Sequence, residues 1–175
     1  MPMLGLKHDT VALSSHFNEW QQAFKVVKKE LVAQLEPWAL DIQHIGSTSI
    51  KCTLAKPIID IGVLIANMGV FQQCQHALEQ LSYHYRGDAG AFGGHVFIKN
   101  STPDIRTHNL HLIEMRDPQW KNYILFRDYL NAHPEMAHAY SDLKRKLAEK
   151  FPAARRSYTL GKTEFVHRVL KLAAH

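Results

Sequence analysis

The sequence predicts a single α/β (α+β) domain: a small mixed β-sheet packed against helices, with a helical C-terminal third. Three observations predict it. Phe17, Trp20, Phe24, Val27, Leu31 and Leu35 recur at helical spacing. Residues 57–65 read PIIDIGVLI, β-branched and apolar on both faces, as in a central strand. After Asp117 the strand pattern stops and helical periodicity takes over. A length of 175 residues suits one core, which typically serves about 100–200 residues. With 46% hydrophobic and 21% charged residues the chain is not mainly disordered. No apolar run approaches the ~20 residues of a membrane span, and residues 1–11 lack a signal-peptide pattern. Cys52 and Cys74 are too few for a disulfide framework, so a cytoplasmic location is the expectation.

Each element follows in order. Ser14 and Ser15 are candidate caps for a first helix running to about Leu35, which Pro37 ends. A short strand is expected at 41–45, the central strand at 57–65 and a helix at 70–81. A short strand at 83–86 leads into a glycine-rich loop at 87–94. Strands at 95–99 and 105–113 flank the turn residues of 100–104. The sheet region thus spans about 38–116, and the helices about 117–174. Helices are expected at 119–132, 134–150 and 157–173, bounded first by Pro118 and Pro134. Residues 142–175 carry nine Lys/Arg against three Asp/Glu, which accounts for all of the excess positive charge. That is either a face for phosphates or RNA, or a solvated basic surface.

Four features can carry chemistry. Gly46-Ser47-Thr48-Ser49 follows a strand, where glycine admits close approach and amides and hydroxyls can hold phosphate. The same residues are also ordinary turn chemistry. Asp60 interrupts the apolar central strand, and a buried carboxylate needs a partner. Lys56, four residues earlier, shares its face in an extended strand and is one candidate; a cation is another. In the strand at 105–113, Asn109, His111 and Ile113 share a face opposite His108. His111 can ligate a metal, act as a base, or be structural. Finally, Tyr140 and Lys144, and Tyr158 and Lys162, stand four apart on predicted helices. Each pair can stack on a base and meet a phosphate, or bury a ring beneath a snorkelling lysine.

In order, these motifs resemble the DNA polymerase beta nucleotidyltransferase superfamily: strand, Gly46-Ser47, then a strand carrying Asp60. A closer resemblance is to the GrpB family, through HIGSTS at 44–49, AKPIIDI at 55–61, HNLHLI at 108–113 and FRDYLNAHPEMAHAYSDLK at 126–144. The closing Tyr158, Lys162 and Phe165 also match, so the resemblance spans about 14–172. It implies a nucleotidyltransferase-like mixed sheet. It further implies metal-assisted nucleotidyl transfer from an NTP to an unknown acceptor, or a non-catalytic nucleotide, phosphate or RNA-binding module. In the first case Gly46, Ser47, Thr48, Ser49, Lys56, Tyr140, Lys144, Tyr158 and Lys162 would bind the nucleotide. Asp60 and His111 would be catalytic and hold a divalent ion, Mg²⁺ or Mn²⁺. The sequence departs from the superfamily where a second carboxylate is expected, at Gly62, and where a third is expected, at Asn109 or His111. Lys51 and Cys52 replace a Pro-Gly of the family pattern.

Overall fold

The computed structural model describes residues 4–90 and 94–174. Strand β1 (Leu6–Lys7) precedes helix α1 (Phe17–Leu35), then β2 (Ala39–Ile45), β3 (Ile59–Ile65), α2 (Phe71–Gln80), β4 (His84–Asp88), β5 (His95–Thr102) and β6 (Ile105–Glu114). Four helices close the chain: α3 (Pro118–Ala132), α4 (Pro134–Lys150), α5 (Arg155–Leu160) and α6 (Thr163–Ala173). The sheet order is β2-β3-β6-β5-β4, with β1 beside the start of β6. Only the β3–β6 pair is parallel among these neighbours, so the sheet is mixed. Its register sets Asp60 beside Asn109 and Gly62 beside His111. No helix among the described residues is long and apolar enough to cross a membrane.

Alternation along β3 sends Ile59, Ile61, Val63 and Ile65 into a core with Trp20, Phe24, Leu31, Leu35, Cys74 and Leu78. The opposite face carries Asp60 and Gly62. A second, smaller core joins the C-terminal helices through Phe126, Leu130, Ala137, Tyr140 and Val169, with Ile50 from the loop after β2.

Several expectations are corrected. The first helix starts at Phe17 after His16, and no side chain caps it. Ser14 instead exchanges backbone hydrogen bonds of 2.9 and 3.0 Å with Ala55, an isolated bridge that holds it extended. The expected glycine-rich loop contributes Gly87 and Asp88 to β4, and residues 91–93 of it lie outside the described residues. Strand β5 runs on to Thr102, so the following turn is shorter than the composition suggests. The last helix divides into α5 and α6 at Gly161. A Cβ there would lie 2.5 Å from Leu147 Cδ2, so the break lets the chain pass close against α4.

Candidate functional site

The site is built where β2 ends and β3 begins. Gly46 has a φ of 69°, in the left-handed region. A Cβ at Gly46 would lie 2.5 Å from Asp60 Oδ2, so glycine is required both by conformation and by the nearness of the carboxylate. A single 3-10 turn, Ser47–Ser49, follows. Its inner hydroxyls are committed to shape. Ser49 Oγ donates to Gly46 O at 2.6 Å, and Thr48 Oγ1 lies 2.9 Å from His44 Nε2. Both residues are buried, and Thr48 also lines the second cleft described below. His44 stacks on Phe24, and burial, aided by Arg127, lowers its pKa to about 3, so the ring stays neutral. Arg127 braces the same strand end by donating from Nη1 to Gln43 Oε1 and His44 O.

Asp60 lies half-buried at the junction of two clefts. One, of about 180 Å³, is lined by Gly46, Ser47, Asp60, Tyr123, Tyr140 and Lys162, among others. The other, of about 190 Å³, is lined by Ser47, Lys56, Asp60, Asn109, His111 and Lys162, among others. Asp60, His111, Lys56, Lys162, Tyr140 and the Gly46-Ser47 turn are therefore brought to one place. The partner of Asp60 within the sheet is Asn109, whose Nδ2 donates to Oδ1 at 2.8 Å. His111 Nδ1 lies 3.4 Å from the Tyr123 hydroxyl.

Lys144 and Tyr158 stand behind the cleft walls rather than on them. Lys144 is 1% exposed, and its Nζ has no hydrogen-bond partner among the described residues. It sits 4.1 Å from the centroid of the Tyr140 ring. Burial, then Lys162 and Lys56, push its pKa well down. Lys56 and Lys162 flank the buried Tyr158 ring at 5.2 and 4.8 Å. Lys56 is brought down to about 7 by burial first, then by Lys162 and Arg155. The expected pairing of Tyr158 with Lys162 survives the helix break, because Lys162 is the residue that opens α6. Three ammonium groups thus influence one another here, with Asp60 the carboxylate that favours the charge of Lys56.

Sequence reasoning missed the contribution of α3. Gln119, Asn122, Tyr123 and Phe126 line the first cleft. A Cβ at Gly62 would lie 3.0 Å from Trp120 Cζ3, so the indole occupies the space a second carboxylate would need. No group of three or more His, Cys, Asp or Glu side chains suited to a metal occurs among the described residues. The donor set does not fit a two-metal centre. Asp60 and His111 are the side chains that line one cleft with metal-binding chemistry.

The fold is of the nucleotidyltransferase-like class. Solved structures of Cid1 poly(U) polymerase share the architecture at a TM-score of 0.51 and 10% identity, over 78% of this chain and 43% of that one. The chain belongs to the GrpB family, whose model matches residues 10–172. It is similar to the glutamate-rich protein GrpB of Alkalihalophilus pseudofirmus, 36% identical over 96% of this chain and 98% of the relative. It also resembles the crystal structure of GrpB from Enterococcus faecalis, with a TM-score of 0.82, 29% identity, and coverage of 93% and 96%. YqkA of Bacillus subtilis is 36% identical over 86% of this chain, which spans 43% of that protein.

Proposed function

We propose that the chain binds a nucleoside triphosphate around Asp60 and transfers its nucleotidyl group to an acceptor. The observation that carries this reading is the convergence of Lys56 and Lys162, with Lys144 behind them, on a cleft floored by Asp60 under the Gly46-Ser47 turn. Lys144 is buried without a hydrogen-bond partner and Lys56 is desolvated beside other cations, a cost that an oligophosphate compensates. Tyr140 and Tyr123 offer the apolar surface for a base.

In the transfer, an acceptor hydroxyl oxygen attacks the α-phosphorus and its proton passes to Asp60 or His111. The α–β bridging P–O bond breaks and pyrophosphate leaves. Lys162 and Lys56 offset the charge that develops on it. Mg²⁺ or Mn²⁺ carried by the triphosphate would take Asp60 and His111 as protein ligands and shield phosphate charge.

The Trp120 indole over Gly62 favours a second reading, in which the site binds nucleotide or phosphate without transfer. Six basic residues of the C-terminal third stay exposed (Arg145, Lys146, Lys150, Arg156, Arg168 and Lys171), and they are the surface an RNA partner would use. Calorimetry with the four NTPs, with and without Mg²⁺ or Mn²⁺, tests binding. Pyrophosphate release in the presence of cell extract tests transfer. Binding with pyrophosphate release that Asp60→Asn abolishes supports transfer. Binding without release selects the second reading, and no binding at millimolar nucleotide rejects both. RNA affinity that does not fall with salt removes the RNA surface.

A further inference from the structure

Beyond Lys56, on the side away from the Gly46-Ser47 turn, two arginines have no function in the site described above. Arg106 is half-buried near the start of β6, and its Nε is buried without a hydrogen-bond partner. Simple alternation would place it on the α1/α2 face with His108 and Leu110. The β5–β6 register, however, pairs Lys99 with His108 and Asn100 with Arg106, skipping Thr107. This one-residue bulge restores Arg106 to the parity of Asn109, on the face of Asp60. Thr107 Oγ1 fixes the bulge by donating to Lys99 O at 3.1 Å and lying 2.8 Å from His108 Nδ1.

Arg155 approaches the same place from α5. Its Nη2 donates to Lys7 O and Thr10 O, and its Nε is buried without a partner. Thr159, one turn further along α5, lines the second cleft. β1 pairs with β6 at Leu6–Arg106 and Lys7–Ile105, and the Lys7 carbonyl accepts from Arg155, so both arginines lie beside this short strand, while Lys56 packs on the Tyr158 ring of the same helix as Arg155. The carboxylates that act on them are Asp60 and Asp9, while Arg86 adds further positive charge to Arg106. Neither arginine forms an ion pair among the described residues. The buried Nε–H groups of Arg106 and Arg155 lack acceptors, and guanidinium N–H groups match the oxygens of a phosphate.

We infer that Lys56, Arg106 and Arg155 form a second anion subsite, separate from the triphosphate cleft, which takes the phosphate monoester of a small acceptor molecule. This rests on the nucleotidyl-transfer reading and specifies its acceptor: a phosphorylated small molecule whose free hydroxyl reaches Asp60. Lys56 stands between the two subsites and serves both. The half-buried setting of the arginines beneath the N-terminal segment favours a small molecule over a polymer.

The test titrates inorganic phosphate into the full chain by calorimetry, before and after saturation with α,β-methylene analogues of the NTPs. Phosphate is expected to bind in both states. Arg106→Gln should weaken phosphate at least tenfold in the analogue-saturated protein and change analogue affinity less than twofold. Its melting temperature should not fall, because the Nε loses no partner. Arg106→Lys should retain most of the phosphate binding. Arg155→Gln is the weaker variant, since it also releases the N-terminal segment.

Failure of phosphate to bind the analogue-saturated protein, or binding indifferent to Arg106→Gln, overturns the subsite. If the analogues do not bind but phosphate binds in an Arg106-dependent way, the nucleotide reading fails and the anion subsite stands. If a 5′-phosphorylated RNA oligonucleotide displaces phosphate with more than a hundredfold advantage, the acceptor is RNA and the small-molecule assignment is wrong.

Discussion

The two faces of strand β3 bury polar groups in opposite ways. Toward α1 and α2, the polar groups among Ile59, Ile61, Val63 and their neighbours are neutral. Burial, with Arg127 for His44 and Lys99 for His108, lowers these imidazoles to about 3 and about 4. Burial also raises the Tyr83 hydroxyl well above its ordinary value. Toward the C-terminal helices, Asp60 faces lysines and arginines that outnumber it, and Lys144 is buried with no hydrogen-bond acceptor. A neutral orphan costs about 1–3 kcal/mol and is still compatible with a face devoted to stability. A cluster of desolvated cations costs more, and a bound anion relieves that cost. The first face holds the sheet together; the second stores electrostatic strain that binding can release.

The sharpest division of these roles comes from adjacent residues on β3. Ile61→Ala leaves a cavity in the main core and should cost about 2–5 kcal/mol. At about 2–4 °C per kcal/mol that lowers the melting temperature by roughly 4–20 °C. Nucleotide affinity of the folded protein should not change. Asp60→Asn should do the reverse: a melting temperature within about 2 °C, since one half-buried carboxylate is replaced by an isostere that can still accept from Asn109, and no turnover. Scanning calorimetry and pyrophosphate release check the pair. If Ile61→Ala disturbed nucleotide affinity as strongly as Asp60→Asn, the two faces would not be functionally separate.

Next in size is Lys144→Met. Methionine keeps the stem's packing against Tyr140 and removes a buried amino group with no hydrogen-bond partner. The variant should be more stable than the parent by about 1–3 kcal/mol, the cost of an unsatisfied buried group. It should also gain less stability from added triphosphate. A variant that is less stable without ligand would show that Lys144 has a partner in solution, and the contrast between the faces would weaken.

How legible these faces were in the sequence differs between them. A β-branched run apolar on both faces identifies β3 and its solitary Asp60, and period-3.6 spacing identifies the α1 stripe, because both are written in local sequence. The Gly46-Ser47 turn, His111, Tyr140 and Lys162 line the clefts beside Asp60. Asn109 as the partner of Asp60 is set by the parallel register of strands 49 residues apart, which no local pattern encodes. Trp120 reads as one more apolar residue of α3 until the helix packs over Gly62. Arg106 changes faces through a bulge of one residue, and period-two reasoning assigns it wrongly for that reason. The break at Gly161 is hidden because the apolar stripe continues across it. Helical spacing places Lys144 beside Tyr140, but the covering of both comes from other segments.

The smallest expected effect tests whether the strained face responds to protons as well as to anions. Burial and neighbouring cations bring Lys56 to about 7, so the folded chain binds fewer protons than the unfolded one between about 7 and its ordinary value of 10.5. Stability should therefore rise with pH through that window, the sign for a base whose folded pKa is depressed. Anion affinity should run the other way. Lys56 is mostly protonated at pH 6 and mostly neutral at pH 8, so triphosphate affinity should fall about tenfold between them, about 1.4 kcal/mol. The terminal phosphate itself gains negative charge near pH 6, which acts against this trend in the parent. Lys56→Met removes the lysine and leaves that opposing effect, so its affinity should be flat or rise over the same interval. Binding should also take up a proton near pH 8, read as a calorimetric enthalpy that varies with the ionisation enthalpy of the buffer. An identical pH profile for the parent and Lys56→Met would mean that Lys56 does not meet the anion. The strain on this face would then belong to Lys144 and the two arginines.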